Sequence, residues 1–79
     1  MKVLVHKFNM GDVEDPELYA AQPIHDFELS EKGQWLKDHS TEQMVFNIEM
    51  DYDTYGYKCV IHAWLEEKDL TFYNLKWTQ

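Results

Sequence analysis

From Gln43 to Met50 the chain alternates, with Met44, Phe46, Ile48 and Met50 on one parity and Gln43, Val45, Asn47 and Glu49 on the other. A repeat of two places successive side chains on opposite faces, so this stretch predicts a half-buried β-strand. Asp51-Tyr52-Asp53-Thr54 supplies a turn, and Gly56 marks a bulge or a close backbone approach just beyond it. Alternation then resumes, with Tyr57, Cys59, Ile61, Ala63 and Leu65 on one face and Lys58, Val60, His62 and Trp64 on the other. Glu66-Glu67-Lys68-Asp69 reads as a charged turn. Thr71, Tyr73, Leu75 and Trp77 alternate with Leu70, Phe72, Asn74 and Lys76, predicting a third strand of the meander.

The first half is patterned differently. Lys2 to Phe8 reads as a strand, but Leu4 and Phe8 favour one buried face while Val3 and Val5 favour the other. Asn9-Met10-Gly11-Asp12 is expected to end it. Asp15-Pro16-Glu17 has the marks of a helix start: an N-cap oxygen, a proline at the first position and an acid near the positive helix end. That helix is expected to stop near Gln22, because Pro23 disfavours helical geometry in the residue before it. Residues 23–39 are then mostly helical, with Ile24 and Phe27 sharing a side and a kink near Leu29-Ser30. Ser30 is a second N-cap, Trp35, Leu36 and His39 fall on one side of the turns after it, and Gly33 is a mild cost. The order is strand, helices, then three strands. It predicts a single domain over residues 1–79, an α+β fold in two layers: an antiparallel sheet of about four strands (β-α-β-β-β) with helices on one face.

Composition narrows the function. A 79-residue chain with 44% hydrophobic residues can build one small core. Fifteen acids against seven lysines leave a net charge of -8, which works against direct nucleic-acid binding. With no arginine, no bidentate anion fork is available. The acids concentrate in Asp12-Val13-Glu14-Asp15-Pro16-Glu17, with Asp51-Tyr52-Asp53 and Glu66-Glu67-Lys68-Asp69 as echoes. Three readings fit that stretch: solvated turns and a helix start, an acidic surface competing for a basic groove, or a divalent-ion site. The spacing of a calcium-binding loop is absent, and none of His6, His25, His39 and His62 shows metal-ligand spacing, so no metal or cofactor is expected.

Enzyme motifs are absent as well. Cys59 sits mid-strand, and His62 falls on the opposite face by the period of two, so a buried structural thiol is expected rather than a nucleophile. The only serines, Ser30 and Ser40, lie in no nucleophile elbow. Residues 1–7 hold too short an apolar run for a signal-peptide core, no stretch reaches the roughly 20 residues of a membrane span, and a lone cysteine suits a reducing compartment. The cytoplasm is the expected location. Aromatic residues crowd the second half. Helices covering one sheet face would leave the other open, and a face bearing Val60, His62 and Trp64 would be an apolar patch of the kind that marks interfaces. Ordinary cross-strand packing is the competing reading.

Four stretches carry a resemblance: the run from Asn9 to Ile24 around Gly11-Asp12-Val13-Glu14-Asp15-Pro16, Ser30-Glu31-Lys32-Gly33-Gln34-Trp35, Tyr55-Gly56-Tyr57-Lys58, and Asp69-Leu70-Thr71-Phe72-Tyr73 with Leu75-Lys76-Trp77. Over nearly its whole length the chain resembles small proteins of tailed bacteriophages for which no activity is established. The resemblance implies a phage-encoded protein in the host cytoplasm or, alternatively, in the virion. It transfers no functional residue. The expected function is that of an acidic protein-binding module without enzymatic activity, a host-protein inhibitor or modulator, with acidic competition for a nucleic-acid groove as one variant. The alternative is an assembly component forming a homo-oligomer. The expected partner-binding residues are Trp64, His62, Val60, Tyr55, Asp12, Glu14, Asp15 and Glu17.

Overall fold

The computed structural model describes residues 1–53 and 55–77. It is an α+β fold of three helices and a three-stranded antiparallel sheet: β1 (Lys2–Gly11), α1 (Pro16–Leu29), α2 (Glu31–His39), β2 (Val45–Asp51), β3 (Gly56–Trp64) and α3 (Glu67–Trp77). The strands lie in the order β1-β3-β2, so the first strand pairs with the third. Within the turn predicted between β2 and β3, the Asp53 amide donates to Asp51 Oδ1 at 3.1 Å. Thr54 lies outside the described residues.

Three expectations are corrected. The fourth strand does not form, because residues 67–77 are the helix α3. Leu70, Tyr73 and Trp77 all pack on the core, at spacings of three and four that fit a helix as well as alternation fits a strand. Glu67 and Asp69 occupy the first turn, where acids complement the helix dipole, so the charged run is a helix start. Second, α1 does not stop at Gln22. It runs through Pro23 to Leu29, although Pro23 has no N–H to offer the Tyr19 carbonyl. Ala20 and Phe27, both buried, and Ile24, packed beside them, lie on one stripe spanning the proline, and their burial holds the helix together across it. Third, β1 continues through Asn9 and Met10 to Gly11.

The predicted break at Ser30 is present. Ser30 closes α1 and opens α2: its Oγ accepts from the Gly33 amide at 3.0 Å and donates to the Phe27 carbonyl at 2.6 Å. Asp15 caps α1 as expected, accepting from the Leu18 amide at 3.2 Å. Gly33 has a role beyond its helix, because a Cβ there would lie 1.9 Å from the Phe27 carbonyl oxygen. The α1–α2 corner closes only around a glycine.

A bulge settles which face of β1 is buried. Leu4 pairs with His62 and His6 with Ile61, leaving Val5 as an extra residue; a second irregularity falls at Met10. The core parity of β1 therefore switches, from Val3 and Val5 before the bulge to His6 and Phe8 after it. The core joins Val5, Met10, Cys59, Ile61 and Ala63 of the sheet and the adjoining Leu65 to Ala20, Phe27, Leu36 and Tyr73 of the helices. Tyr73 Oη donates to the carbonyl of the extra residue, Val5, at 3.3 Å.

Candidate functional site: the second sheet face and the acidic end

Since Cys59, Ile61 and Ala63 point into the core, Lys58, Val60, His62 and Trp64 occupy the other face of β3. Directly paired residues share a face, so the register builds this surface rung by rung. Lys2 sits beside Trp64, then Leu4, His62 and Val45 form a row, then Lys7, Val60 and Asn47, then Asn9, Lys58 and Glu49. The Trp64 end is thus apolar and the Lys58 end charged. Val60 is buried, being on the central strand between Lys7 and Asn47. The accessible aliphatic surface comes from Leu4, 48% exposed, and Val45, 36% exposed, which flank His62.

The apolar end is firmly held. The Trp64 amide donates to Ser40 Oγ at 2.9 Å, and its carbonyl accepts from the Thr41 amide at 2.7 Å. Met1 and Leu65 bond in both directions next to it, at 3.0 and 3.1 Å. Lys2 Nζ stands 5.8 Å from the Trp64 ring centroid, within reach of a cation–π contact. His62 Nδ1 is buried with no hydrogen-bond partner among the described residues. An unpaired buried polar atom is a cost that a partner group can relieve.

The acidic stretches 12–17 and 51–53 lie toward the opposite end of the sheet, whereas Glu66, Glu67 and Asp69 follow β3 at the Trp64 end. A Cβ on Gly56 would lie 2.6 Å from the Gly11 carbonyl carbon, so the chain leaving β1 passes against the β2–β3 turn. That contact brings Asp12 toward the turn containing Asp51, Asp53 and Tyr55. Asp12, Glu14, Asp15, Glu17 and Tyr55 are all exposed, and Tyr55 adopts a left-handed φ of 56°. The acids do not stand alone, because Lys7 and Lys58 line a cleft with Asp51 and Asp53. From Gly56 to Trp64 is eight strand steps, roughly 26 Å at about 3.3 Å each. The residues singled out in the sequence therefore do not form one surface, and Glu17 stands apart from both ends, beside Phe46, Asn47 and Ile48.

Cys59 is fully buried and its thiol is pushed up by desolvation, which suits a structural role. Among the described residues, no three His, Cys, Asp or Glu side chains come together as metal ligands. No described helix is long and apolar enough to cross a membrane.

Reading 70–77 as a strand hid a third feature. Trp35 stacks on His39 at 4.2 Å and on Phe72 at 5.4 Å, with Trp77 tilted against it at 5.1 Å. Phe72 and Leu75 stay exposed on α3. The i, i+4 pair Trp35–His39 was the available sequence signal for the α2 part of this cluster. Comparison of this chain with protein-family models, curated proteins and solved structures finds no match in any of the three.

Proposed function

We propose that this chain is a small protein-binding module of a tailed bacteriophage that acts by direct contact with a host protein. The observation that carries the reading is the apolar end of the second sheet face, where Leu4, His62, Val45 and Trp64 lie outside the core on a well-anchored strand end. These residues lie on the side of β3 away from Cys59, Ile61 and Ala63, and apolar patches rimmed by polar residues are characteristic of interaction sites. Trp64 is the kind of amphipathic aromatic that anchors interfaces. Inhibition or modulation of the partner, without catalysis, follows from occupying its surface. The host cytoplasm is the matching location.

Acidic competition for a nucleic-acid groove is the weaker variant. Lys7 and Lys58 break up the acidic end, and a charge mimic works through an unbroken field of one sign. Assembly into a homo-oligomer or virion part is the alternative, in which copies of the chain cover the apolar face.

Capture of partners from host lysate, read by mass spectrometry, tests the reading when paired with Trp64→Ala. Loss of the captured partner by more than about 1 kcal/mol in affinity is expected. Undiminished capture by Trp64→Ala removes the face from consideration, and a symmetric oligomer in light scattering moves the assignment to assembly.

A further inference from the structure

The aromatic cluster between α2 and α3 already seats cations. Lys76 Nζ stands 4.9 Å from the Trp77 ring centroid and 6.0 Å from that of Phe72. Those two rings are 6.3 Å apart and inclined at 75°, so they make two walls of a corner around the ammonium. A carboxylate supplies the third side, because Lys76 Nζ lies 2.9 Å from Glu31 Oε1 at the start of α2. Next to this corner, Lys32 Nζ stands 5.2 Å from the ring of the buried Tyr73. Ring faces carry partial negative charge, so two aromatic walls and a carboxylate attract a cation from three sides.

Lys76 fills the seat loosely. Its side chain is 44% exposed, that of Glu31 more so, and an ion pair so open to water adds little. A lysine ammonium is also a compact, strongly hydrated charge. A guanidinium suits the corner better: it is planar and weakly hydrated, it stacks on an aromatic face, and its N–H fork donates two hydrogen bonds to one carboxylate. The net charge of -8 favours the approach of such a group. This chain contains no arginine, so a second copy has no guanidinium to offer.

We propose that the corner of Trp77, Phe72 and Glu31 takes an arginine side chain of a partner protein, with Lys76 swinging out into solvent. The guanidinium stacks on the rings and donates to the Glu31 carboxylate. Arginine replaces one cation with another, so Lys32 meets no added charge. Lys76 is then both a stand-in that marks the seat and a competitor for it. The inference stands on the α2–α3 corner and draws nothing from the apolar face around Trp64.

The test titrates the full chain with end-capped, glycine-flanked peptides carrying arginine, citrulline or lysine, followed by the indole N–H signals of the tryptophans in NMR. Citrulline keeps the shape of arginine without its charge. The arginine peptide should shift the Trp77 signal saturably and leave that of Trp64 in place. The citrulline peptide should bind at least about tenfold more weakly, and the lysine peptide a few-fold more weakly. Lys76→Gln removes the competitor and should tighten arginine binding by about threefold. Glu31→Gln removes the carboxylate charge and should weaken it by at least about fivefold. Both substituted side chains are exposed, so both variants keep the fold. Absence of a saturable Trp77 shift at millimolar peptide overturns the proposal, as does equal binding of citrulline. So does unchanged or weaker binding to Lys76→Gln, and so does unchanged binding to Glu31→Gln.

Discussion

Two residues show how tightly this small fold is drawn. Helix propensity ranks Gly33 as a weakness that alanine would repair by about 1 kcal/mol. The corner between α1 and α2 reverses that sign, since the added methyl would overlap the Phe27 carbonyl oxygen, which also accepts from the amide and hydroxyl of Ser30. Gly33→Ala is expected to destabilise the protein by about 2 kcal/mol or more, read as a lower urea midpoint at unchanged slope. A gain in stability would mean that the corner opens freely. His6 is the second case. Its ring stacks on Phe27 at 4.6 Å, and burial, with a smaller contribution from the Lys32 charge, holds its pKa below the ordinary 6.5. The unfolded chain therefore takes up a proton more readily. The stability contributed by neutral His6 is complete above about pH 6.5 and is lost as the pH falls through the lowered folded-state value. His6→Phe keeps an aromatic ring on Phe27 and should lose less stability than the wild type between about pH 7 and pH 5. Parallel urea midpoints for the two proteins would place the effect elsewhere.

At the scale of elements, α1 and α3 show opposite limits of pattern reading. Pro23 carries a local signal to stop, which the apolar stripe through Ala20, Ile24 and Phe27 overrides. The interior proline still lacks its hydrogen bond, so Pro23→Ala should stabilise the protein by about 1–3 kcal/mol in thermal or urea unfolding. Unchanged or lower stability would show that the helix is shaped around the proline ring. In α3 the difficulty is different. Leu70, Phe72, Tyr73, Leu75 and Trp77 satisfy a period of two and a period near 3.6 at once, because apolar residues are so dense there. The acids at Glu67 and Asp69 were the cue that favoured a helix. The Lys76–Glu31 contact at 2.9 Å links α3 to the start of α2, but both side chains are well exposed and the pair adds little. Tyr73, buried and bonded to the Val5 carbonyl, is the stronger tie between α3 and the sheet.

Across the whole molecule, two of the three acidic stretches lie at the far end of the sheet from the apolar rungs, while Glu66-Glu67-Lys68-Asp69 follows β3 at the apolar end. The apolar rungs lie where β3 ends against Met1, Ser40 and Thr41, and the acidic loops lie where Gly11 meets Gly56, roughly 26 Å away by strand length.

Leaving open which face of β3 the core covers, the sequence by itself determined the strands β2 and β3 with their alternation, the caps at Asp15 and Ser30, a bulge or close approach at Gly56 and the buried Cys59. Each follows from local chemistry: alternation, a side-chain oxygen before a helix, a missing Cβ, a thiol on an apolar face. Tertiary structure decided the rest. Whether Leu70–Trp77 coils or extends depends on whether its apolar side chains meet Trp35 and the core or a neighbouring strand. Which face of β1 is buried depends on a bulge that exists only in the pairing with β3. The division of the candidate residues into an apolar end and an acidic end likewise follows from register, a relation between strands that no single stretch of sequence contains.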